Sequence, residues 1–227
     1  MKIAIIQFPA SNCDFDTLHA LKNVLHADAR LVWHKEFDDT YDAAILPGGF
    51  SYGDFLRAGI IAAYSPAMKI VKEMAREGKP VLGICNGFQT LCEAGLLQGA
   101  LLRNAALKFV CAPVILKVIT GRKIFGNPLE NGKIIRLPIA HGEGRYFNDE
   151  RALRELHEND QVVFKYVDEN WRESEEANPN GSLENIAGIC NREGNVLGLM
   201  PHPERASESI LRSEDGKTIL KWLINAR

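Results

Sequence analysis

The sequence predicts a single-domain, three-layer α/β/α fold whose mostly parallel central sheet carries antiparallel additions. From residue 2 to about residue 93, short apolar runs alternate with helical patterns, which is typical of β-α-β-α units. The second half contains apolar runs of strand length with no helical pattern between them, which favours antiparallel pairing. The chain has 227 residues, 46% of them hydrophobic, which is enough core for one large domain. No flexible linker interrupts it, so we expect residues 1–227 to form that one domain.

The first half alternates strands with helices. The predicted strands are Lys2–Phe8, Leu31–His34, Ala43–Leu46 and Pro80–Ile84, and the predicted helices are Asp14–Ala27, Pro66–Glu77 and Asn86–Glu93. Asn12 or Asp14 is expected to cap the first helix, and Gly78 and Gly95 to end the other two. The carboxyl ends of parallel strands meet at one edge of a sheet, so residues that follow these strands are candidates for a site.

The second half is predicted to consist of strands, two loops and a final helix. The strands are Leu107–Thr120, Lys133–Ala140, Gln161–Asp168, Ile186–Asn191 and Val196–Met200, and the helix is Gly216–Ala226. Gly121–Gly132 and Glu169–Leu183 are expected to be exposed loops. The second loop contains the turn signal Asn178-Pro-Asn-Gly-Ser182.

Composition narrows the classes of function. The formal net charge is −2, so no basic field predicts binding to nucleic acid. No apolar run approaches the roughly 18–20 residues of a membrane span. The five cysteines are odd in number and include no CxxC pair. We therefore expect no disulfide framework or zinc ribbon, and a reducing compartment, the cytoplasm.

The segment Val81–Gln89 carries the strongest chemical signal, because an apolar run ends in Gly-x-Cys-x-Gly and a helical pattern follows at once. This layout is that of a nucleophile elbow, a sharp turn between strand and helix that presents one side chain. Glycines on both sides leave room for the turn, and the start of a helix favours a cysteine thiolate. Cys85 is therefore the candidate nucleophile. The alternative is a buried cysteine in an ordinary turn.

A cysteine nucleophile needs a base, and the base needs a group that orients it. His202 follows the last predicted strand, flanked by two prolines, at the edge where sites of parallel sheets gather. Glu204 lies two residues further on, so in extended chain it can accept a hydrogen bond from the imidazole. The alternative is a proline-rich turn with an incidental histidine. Surface or structural roles are expected for His19, His26, His34 and His157.

Acyl transfer also requires hydrogen-bond donors for the oxyanion. The backbone N–H of Asn86, directly after the nucleophile, is one candidate. The N–H of Gly49 is the other, because Pro47-Gly-Gly-Phe50 follows a strand that ends at the same edge. An ordinary glycine turn is the alternative. These glycines do not form a phosphate-binding loop, since the segment lacks both GxGxxG and a lysine.

Together these motifs resemble the class I, triad-type glutamine amidotransferases. Further segments resemble one branch of that family, the separate glutaminase subunits of phosphoribosylformylglycinamidine synthases, over essentially the whole chain. These segments are Phe8-Pro-Ala-Ser-Asn-Cys-Asp14, Pro47-Gly-Gly-Phe-Ser-Tyr-Gly-Asp54, Arg57-Ala-Gly59, Cys85-Asn-Gly-Phe-Gln89, Pro138-Ile-Ala-His-Gly-Glu-Gly-Arg-Tyr146, Asn178-Pro-Asn-Gly-Ser182 and Pro201-His-Pro-Glu-Arg205. Ala10 departs from the pattern, since glycine is expected after Phe-Pro.

The resemblance implies hydrolysis of glutamine to glutamate and ammonia through a thioester on Cys85, with His202 as acid and base and Glu204 orienting it. Further implied glutamine-binding residues are Gly48, Phe50, Gln89, His141, Gly142 and Glu143. Ammonia would pass to a synthetase subunit that spends ATP, with Mg, on formylglycinamide ribonucleotide in purine biosynthesis. A small third subunit is also implied, and no cofactor or metal is expected in this chain.

Several alternatives stay open at this point. His141 with Glu143 repeats the His-x-Glu pattern and is a rival base. Cys13 follows the first strand at the active edge and is a candidate partner contact or reactive thiol, while Cys92, Cys111 and Cys190 are expected in the core or in apolar strands. Phe50–Gly59 is a candidate loop for the ammonia exit. The chain could instead be a cysteine-based sensor, chaperone or hydrolase, a non-catalytic interaction subunit, or a glutaminase serving another synthetase.

Overall fold

The computed structural model describes residues 1–226. The strands are β1 (Lys2–Gln7), β2 (Asp28–Trp33), β3 (Ala43–Leu46), β4 (Val81–Ile84), β5 (Ala100–Leu102), β6 (Val110–Val118), β7 (Lys123–Ile124), β8 (Asn127–Pro128), β9 (Ile134–His141), β10 (Arg145–Phe147), β11 (Val162–Val167), β12 (Ile186–Cys190) and β13 (Val196–Leu199). The α-helices are α1 (Asp14–His19), α2 (Ile60–Ala63), α3 (Pro66–Arg76), α4 (Asn86–Glu93), α5 (Glu150–Glu158) and α6 (Gly216–Ile224).

A nine-stranded sheet with the order β2-β1-β3-β4-β13-β12-β11-β6-β9 organises the molecule. The strands from β2 to β13 pair in parallel, and those from β13 to β9 pair in antiparallel fashion. The predicted α/β class, with a mostly parallel sheet extended by antiparallel strands, is confirmed. Because β4 and β13 are neighbours, the residues that follow them, around 85 and 202, lie at the same edge of the sheet.

The elbow helix α4 packs closely on the sheet because two glycines face it. Gly83 in β4 and Gly198 in β13 are directly opposite each other. A Cβ on Gly83 would lie 2.5 Å from Leu91 Cδ1, and one on Gly198 would lie 2.2 Å from Phe88 Cδ2. The two apolar side chains of α4 therefore occupy the hollow that the glycine pair leaves, and this contact fixes the helix behind the elbow.

The first helix differs from the prediction at both ends. It continues beyond α1 as a π-helical turn over Ala20–Val24 and stops before Ala27, because His26 has a positive φ of 55° and β2 begins at once. Neither predicted residue caps it. Cys13 occupies the N-cap position without a side-chain cap, and Asp14 instead accepts a hydrogen bond from Gln7 Nε2.

The second half contains a helix that the sequence reading missed. Asp149 caps α5 by accepting a hydrogen bond from the Ala152 N–H at 2.9 Å. Charged residues dominate this helix, and Leu156 is its fully buried side chain, so its apolar stripe is too narrow to stand out in the sequence. The segment is largely exposed, as expected for His157, whose Nε2 lies 2.7 Å from Glu184 Oε2.

Both predicted loops are more structured than expected. Residues 121–132 contain the hairpin of β7 and β8, and Ile124, Phe125 and Leu129 are buried. In the second loop, Asn180 and Ser182 are buried because they pair with backbone groups beneath them. Polar and glycine-rich composition signalled the turns in these segments but not their burial. Across residues 1–226, no helix is long and apolar enough to cross a membrane.

Candidate active site

Cys85 occupies the turn between β4 and α4 in a strained conformation, with φ 49° and ψ −105°. Its backbone is held on both sides, since its N–H donates to the Leu199 carbonyl at 2.8 Å and its carbonyl accepts from the Gln89 N–H at 3.1 Å. A non-glycine residue in this region costs about 1–3 kcal/mol, which surrounding contacts must offset. The elbow predicted from the glycine pattern is present, with its thiol close to the Ala140 carbonyl, at 3.8 Å.

The glycine after the nucleophile is required by packing. A Cβ on Gly87 would lie 1.9 Å from the Leu46 carbonyl oxygen, at the end of β3. Any larger residue would push α4 away from the sheet and displace the elbow with it. The sequence motif predicts this close approach of helix and strand, and the Leu46 carbonyl is the group that leaves no room for a side chain at position 87.

His202 and Glu204 form a buried pair next to the elbow. His202 Nδ1 lies 2.6 Å from Glu204 Oε1, and both side chains are at most 1% exposed. The His202 backbone N–H donates to the Pro138 carbonyl at 2.9 Å, which anchors the segment after β13 to β9. Among the described residues, His202 Nε2 has no hydrogen-bond partner, so this nitrogen is available for a reacting group.

The environment favours the imidazolium form of His202. Burial lowers the pKa of this group, but the negative charges of Glu204 and of a Cys85 thiolate outweigh it and raise the pKa well above the ordinary value of 6.5. Cys85 is tied to the same strand end, since its backbone N–H donates to the carbonyl of Leu199, three residues before His202. The three residues predicted as a triad are therefore brought together at one edge of the sheet.

Gly48 and Gly49, which follow β3, lie between His202 and the loop that joins β1 to α1. A Cβ on Gly48 would lie 2.7 Å from His202 Cε1, so glycine lets the chain run along the imidazole ring. Gly49 has φ +146°, and a Cβ there would lie 2.8 Å from the Asn12 backbone nitrogen. The predicted oxyanion donor at Gly49 and the nucleophile Cys85 line the same cavity.

Asn86 has a structural role that the sequence reading did not foresee. Its Oδ1 accepts from the Ser51 N–H at 3.1 Å, and its Nδ2 donates to Asp54 Oδ1 at 3.2 Å and to Gln89 Oε1 at 2.8 Å. The side chain thereby clamps the loop after β3 onto α4. The Gln89 amide belongs to the same network, because its Nε2 also donates to the Glu143 carbonyl. In this structure Gln89 supports the cavity wall.

The rival base, His141, lacks an acid partner. Its Nδ1 lies 3.1 Å from Asn104 Oδ1, and its Nε2 lies 3.5 Å from Asn180 Nδ2. Burial, together with the charge of His202, lowers its pKa to about 4, so it is neutral at pH 7. The carboxylate of Glu143 instead pairs with Arg103, at 3.5 Å. These contacts favour a positioning role for His141.

A cavity of about 180 Å³ opens beside the nucleophile. It is lined by Gly49, Phe50, Asp54, Cys85, Gln89, Phe109, Ala140, His141, Gly142 and Glu143. Most of the predicted glutamine-binding residues are thus brought together, whereas Gly48 lies against His202 instead. A larger cavity, of about 520 Å³, lies elsewhere between Leu96 and Arg192 and contains none of the predicted site residues that the structure describes.

Asp54 is a candidate functional residue that sequence reasoning missed. Burial, reinforced by the charge of Glu143, raises its pKa to about 6, against an ordinary value of 3.8. Two carboxyl groups that face one small cavity form a suitable environment for a cationic group of a ligand. The only hint of Asp54 in the sequence is its place after Gly53, at the end of the glycine-containing segment that follows β3. Glu143, the second carboxyl group of the cavity, is 89 positions further along the chain, so no local pattern links the two.

Cys13 lies on the other side of His202. Its sulfur accepts a hydrogen bond from Arg205 Nη2 at 3.2 Å, and burial raises its pKa. One ligand atom from each of Cys13, His202 and Glu204 lies within 4.8 Å of the others, a donor set that zinc accepts. The hydrogen bond between His202 and Glu204 already explains why these two side chains lie together without a metal. Of the other cysteines, Cys111 lies in β6 and Cys190 in β12, so both are in strands as expected. Cys190 is buried and Cys111 is exposed to solvent.

Comparisons with known proteins agree with these features. Residues 1–223 match the family model described as CobB/CobQ-like glutamine amidotransferase domain. The chain is 60% identical to the phosphoribosylformylglycinamidine synthase subunit PurQ of Methanosarcina acetivorans over 222 residues, which are 97% of this chain and 96% of the relative. It is 52% identical to the subunit of the same name from Aquifex aeolicus over 223 residues, covering 98% and 97%.

Solved structures give the same picture. A chain from a structure described as PurLQS from Thermotoga maritima superimposes with a TM-score of 0.86 and 43% identity, covering 99% of this chain and 97% of that one. A glutamine amidotransferase from Thermotoga maritima has a TM-score of 0.58 at 18% identity, covering 97% and 89%, and shows the fold alone. The chain therefore belongs to the glutamine amidotransferases and, among them, to the family of phosphoribosylformylglycinamidine synthase subunits PurQ.

Proposed function

We propose that this chain is the glutaminase subunit of a phosphoribosylformylglycinamidine synthase. It hydrolyses glutamine and supplies the ammonia to a synthetase subunit that acts on formylglycinamide ribonucleotide. The observation that carries the proposal is the strained Cys85 at the elbow, next to the buried pair of His202 and Glu204. Identity of 60% to a PurQ subunit over nearly the whole chain supports the choice of synthetase.

The first half of the reaction forms a thioester. The Cys85 sulfur attacks the side-chain carbonyl carbon of glutamine, and the N–H groups of Gly49 and Asn86 stabilise the oxyanion. The thiol proton resides on His202 and passes from there to the amide nitrogen as the C–N bond breaks, so that neutral ammonia leaves. Glu204 stabilises the imidazolium throughout.

The second half hydrolyses the thioester. His202, now neutral, takes a proton from water, and the resulting hydroxide attacks the acyl carbon. The proton returns to the Cys85 sulfur as the C–S bond breaks, and glutamate is released. The unpartnered Nε2 of His202 is the atom that handles the proton in both halves.

Glutamine would be held by its α-groups inside the cavity that Cys85 lines. Its α-ammonium finds the carboxylates of Asp54 and Glu143, both of which line the cavity. An ion pair in a partly buried site adds both affinity and orientation. His141 and Gln89 hold the wall in place through the contacts described above.

The partners follow from the family. We propose that the chain assembles with a synthetase subunit and a small third subunit, consistent with its 43% identity to a chain of the PurLQS structure. ATP and Mg would act on the synthetase, and this chain would need no cofactor of its own. The cytoplasm is the proposed location, in keeping with five free cysteines. We also propose that docking to the synthetase activates the glutaminase.

Glutamate release tests the proposal. Wild type and Cys85→Ala are assayed with glutamine, alone and with the cognate synthetase plus its nucleotide substrates, and Cys111→Ser serves as a control cysteine exchange. Loss of the nucleophile should lower turnover by roughly 10⁴–10⁶-fold, whereas Cys111→Ser should match wild type. Folded protein that releases no glutamate under any condition would support a sensor, chaperone or hydrolase instead. Equal turnover with and without the synthetase would refute activation by docking.

A further inference from the structure

Two cavities meet at the candidate active site, and they share one wall. The wall is formed by Gly49, Phe50, Phe109 and Ala140. The cavity with Cys85, about 180 Å³, is the proposed glutamine pocket, and we call it the substrate cavity. The cavity on the other side, about 250 Å³, includes His202 and we call it the histidine cavity. Cys85 thus lines one of the two cavities and His202 lines the other.

The two cavities differ in chemistry. Asp54 and Glu143 line the substrate cavity. Beyond His202 and the shared wall, the histidine cavity is lined by Asn12, Cys13, Cys111 and Arg205, and none of its lining residues in the described part of the chain is acidic. The first space suits a cationic amino acid group, and the second does not.

We propose that the histidine cavity is the route by which ammonia leaves toward the synthetase subunit, an inference that rests on the proposed function. When the C–N bond of glutamine breaks, the departing nitrogen takes its proton from His202. Ammonia is therefore formed against the residue that lines this second cavity. The bulk of glutamine, including its α-groups, still fills the substrate cavity and blocks the way back.

The positive charge of Arg205 in the histidine cavity favours passage of neutral ammonia over ammonium. The Arg205 side chain is held by Asp16, with Nε 3.2 Å from Oδ2, and by the sulfur of Cys13. A fixed cation beside a small cavity disfavours ammonium and does not hinder neutral ammonia. Neutral ammonia is the nucleophile that a synthetase requires. In the substrate cavity, by contrast, the two carboxyl groups would attract ammonium and retain it.

The mouth of the histidine cavity is suited to being covered. Cys111 in β6 is paired with Ala140 in β9 and is exposed to solvent. Paired residues of neighbouring strands present their side chains on the same face of the sheet. The wall residues Phe50 and Phe109 are 44% and 55% exposed, which places two aromatic rings at this opening. We infer that the synthetase subunit docks with its ammonia entrance over this opening.

A larger side chain at position 111 tests the route while Cys85, His202 and Glu204 stay unchanged. The variants Cys111→Trp and Cys111→Arg narrow the mouth, and Cys111→Ser keeps its size. Each is assayed with saturating synthetase, the small subunit, glutamine, ATP and formylglycinamide ribonucleotide. Two quantities are measured: glutamate released, and amidinated product formed per glutamate. Product formed with ammonium chloride in place of glutamine controls for the chemistry of the synthetase, and co-elution of the subunits controls for assembly of the complex.

We expect both bulky variants to release glutamate as wild type does while product per glutamate falls several-fold, with ammonium-driven synthesis unchanged. Cys111→Ser should retain the wild-type ratio. An unchanged ratio in both bulky variants would overturn the route. So would a fall in glutamate release at constant ratio, because the cavity would then admit glutamine or water. If wild type itself released no glutamate, the proposed function would fail, a result distinct from either of these.

Discussion

His202 Nδ1 lies 2.6 Å from Glu204 Oε1 in a site from which solvent is excluded, while His202 Nε2 has no hydrogen-bond partner among the described residues. One nitrogen is thus fixed by a carboxylate and the other is directed to the reaction. This division is what a residue needs in order to accept and then donate a proton. It also explains why the pKa of His202 is raised despite its burial.

Removing the charge of Glu204 should impair catalysis while preserving the shape of the site. We expect Glu204→Gln to lower the turnover of glutamine by roughly 10²–10⁴-fold, because the imidazolium loses its stabilising charge and its fixed tautomer. The pKa of His202 should fall, and the pH profile should shift to lower pH accordingly. Steady-state glutamate release between pH 5 and pH 9 measures both effects.

The matched control for this exchange is Glu208→Gln. Glu208 also binds a histidine at 2.6 Å, but its partner His19 is half exposed. Exposed pairs contribute little, so this variant should behave as wild type. An equal loss of activity in the two variants would contradict a catalytic role for the buried pair of His202 and Glu204.

His141 should govern stability in acid rather than the chemistry. Its pKa is about 4 in the folded chain and 6.5 in the unfolded chain, so below pH 6.5 the unfolded state gains a proton that the folded state does not. Stability is therefore lost as the pH falls from 6.5 toward 4. The loss between pH 7.5 and pH 5 is about 2 kcal/mol from this residue. Urea unfolding of wild type and His141→Gln measures it, and the variant should show the flatter dependence.

The same variant separates the two candidate bases. His141→Gln should retain much of the glutaminase turnover, whereas His202→Gln should lose it. A collapse in His141→Gln with His202→Gln spared would assign the base to His141 and contradict the proposed triad.

Asp54 should make glutamine binding depend on pH. Its pKa of about 6 means that the carboxylate is present above pH 6 and becomes protonated as the pH falls through that value. We expect the KM for glutamine to rise below pH 6 with a smaller change in kcat. Asp54→Asn, which preserves the acceptor for Asn86, should raise KM roughly 10-fold or more at pH 8 and remove this dependence. Asp39→Asn, on the surface, is the control, and an unchanged KM in Asp54→Asn would refute the ammonium contact.

Gly48 should be intolerant of one added methyl group. In Gly48→Ala the Cβ would meet His202 Cε1 at 2.7 Å, so the imidazole ring must shift. Turnover should fall, since small displacements of a catalytic group are costly. The control is Gly121→Ala, where nothing lies within 4 Å of the added carbon. Glutamate release and thermal unfolding of both variants check the prediction, and a fully active Gly48→Ala would contradict the tight fit.

The sequence predicted the centre of the fold better than its surroundings. The bounds of β3 and α4 match the prediction residue for residue, because apolar runs and glycines mark them clearly. The helix α5 was missed because charges dominate it. The amide contacts around His141 and the proximity of Asp54 to Glu143 join residues far apart in the chain, so no local pattern signals them. The catalytic roles themselves stay predictions.

The most direct test of the central claim is capture of the acyl-enzyme on Cys85. The complete complex is mixed with glutamine, quenched in acid within a turnover, and the peptide that contains Cys85 is weighed by mass spectrometry. We expect a mass increase equal to glutamine less ammonia on Cys85, and no such increase in Cys85→Ala. Rapid glutamate release by the Cys85→Ala complex, or an adduct on another residue in wild type, would contradict it.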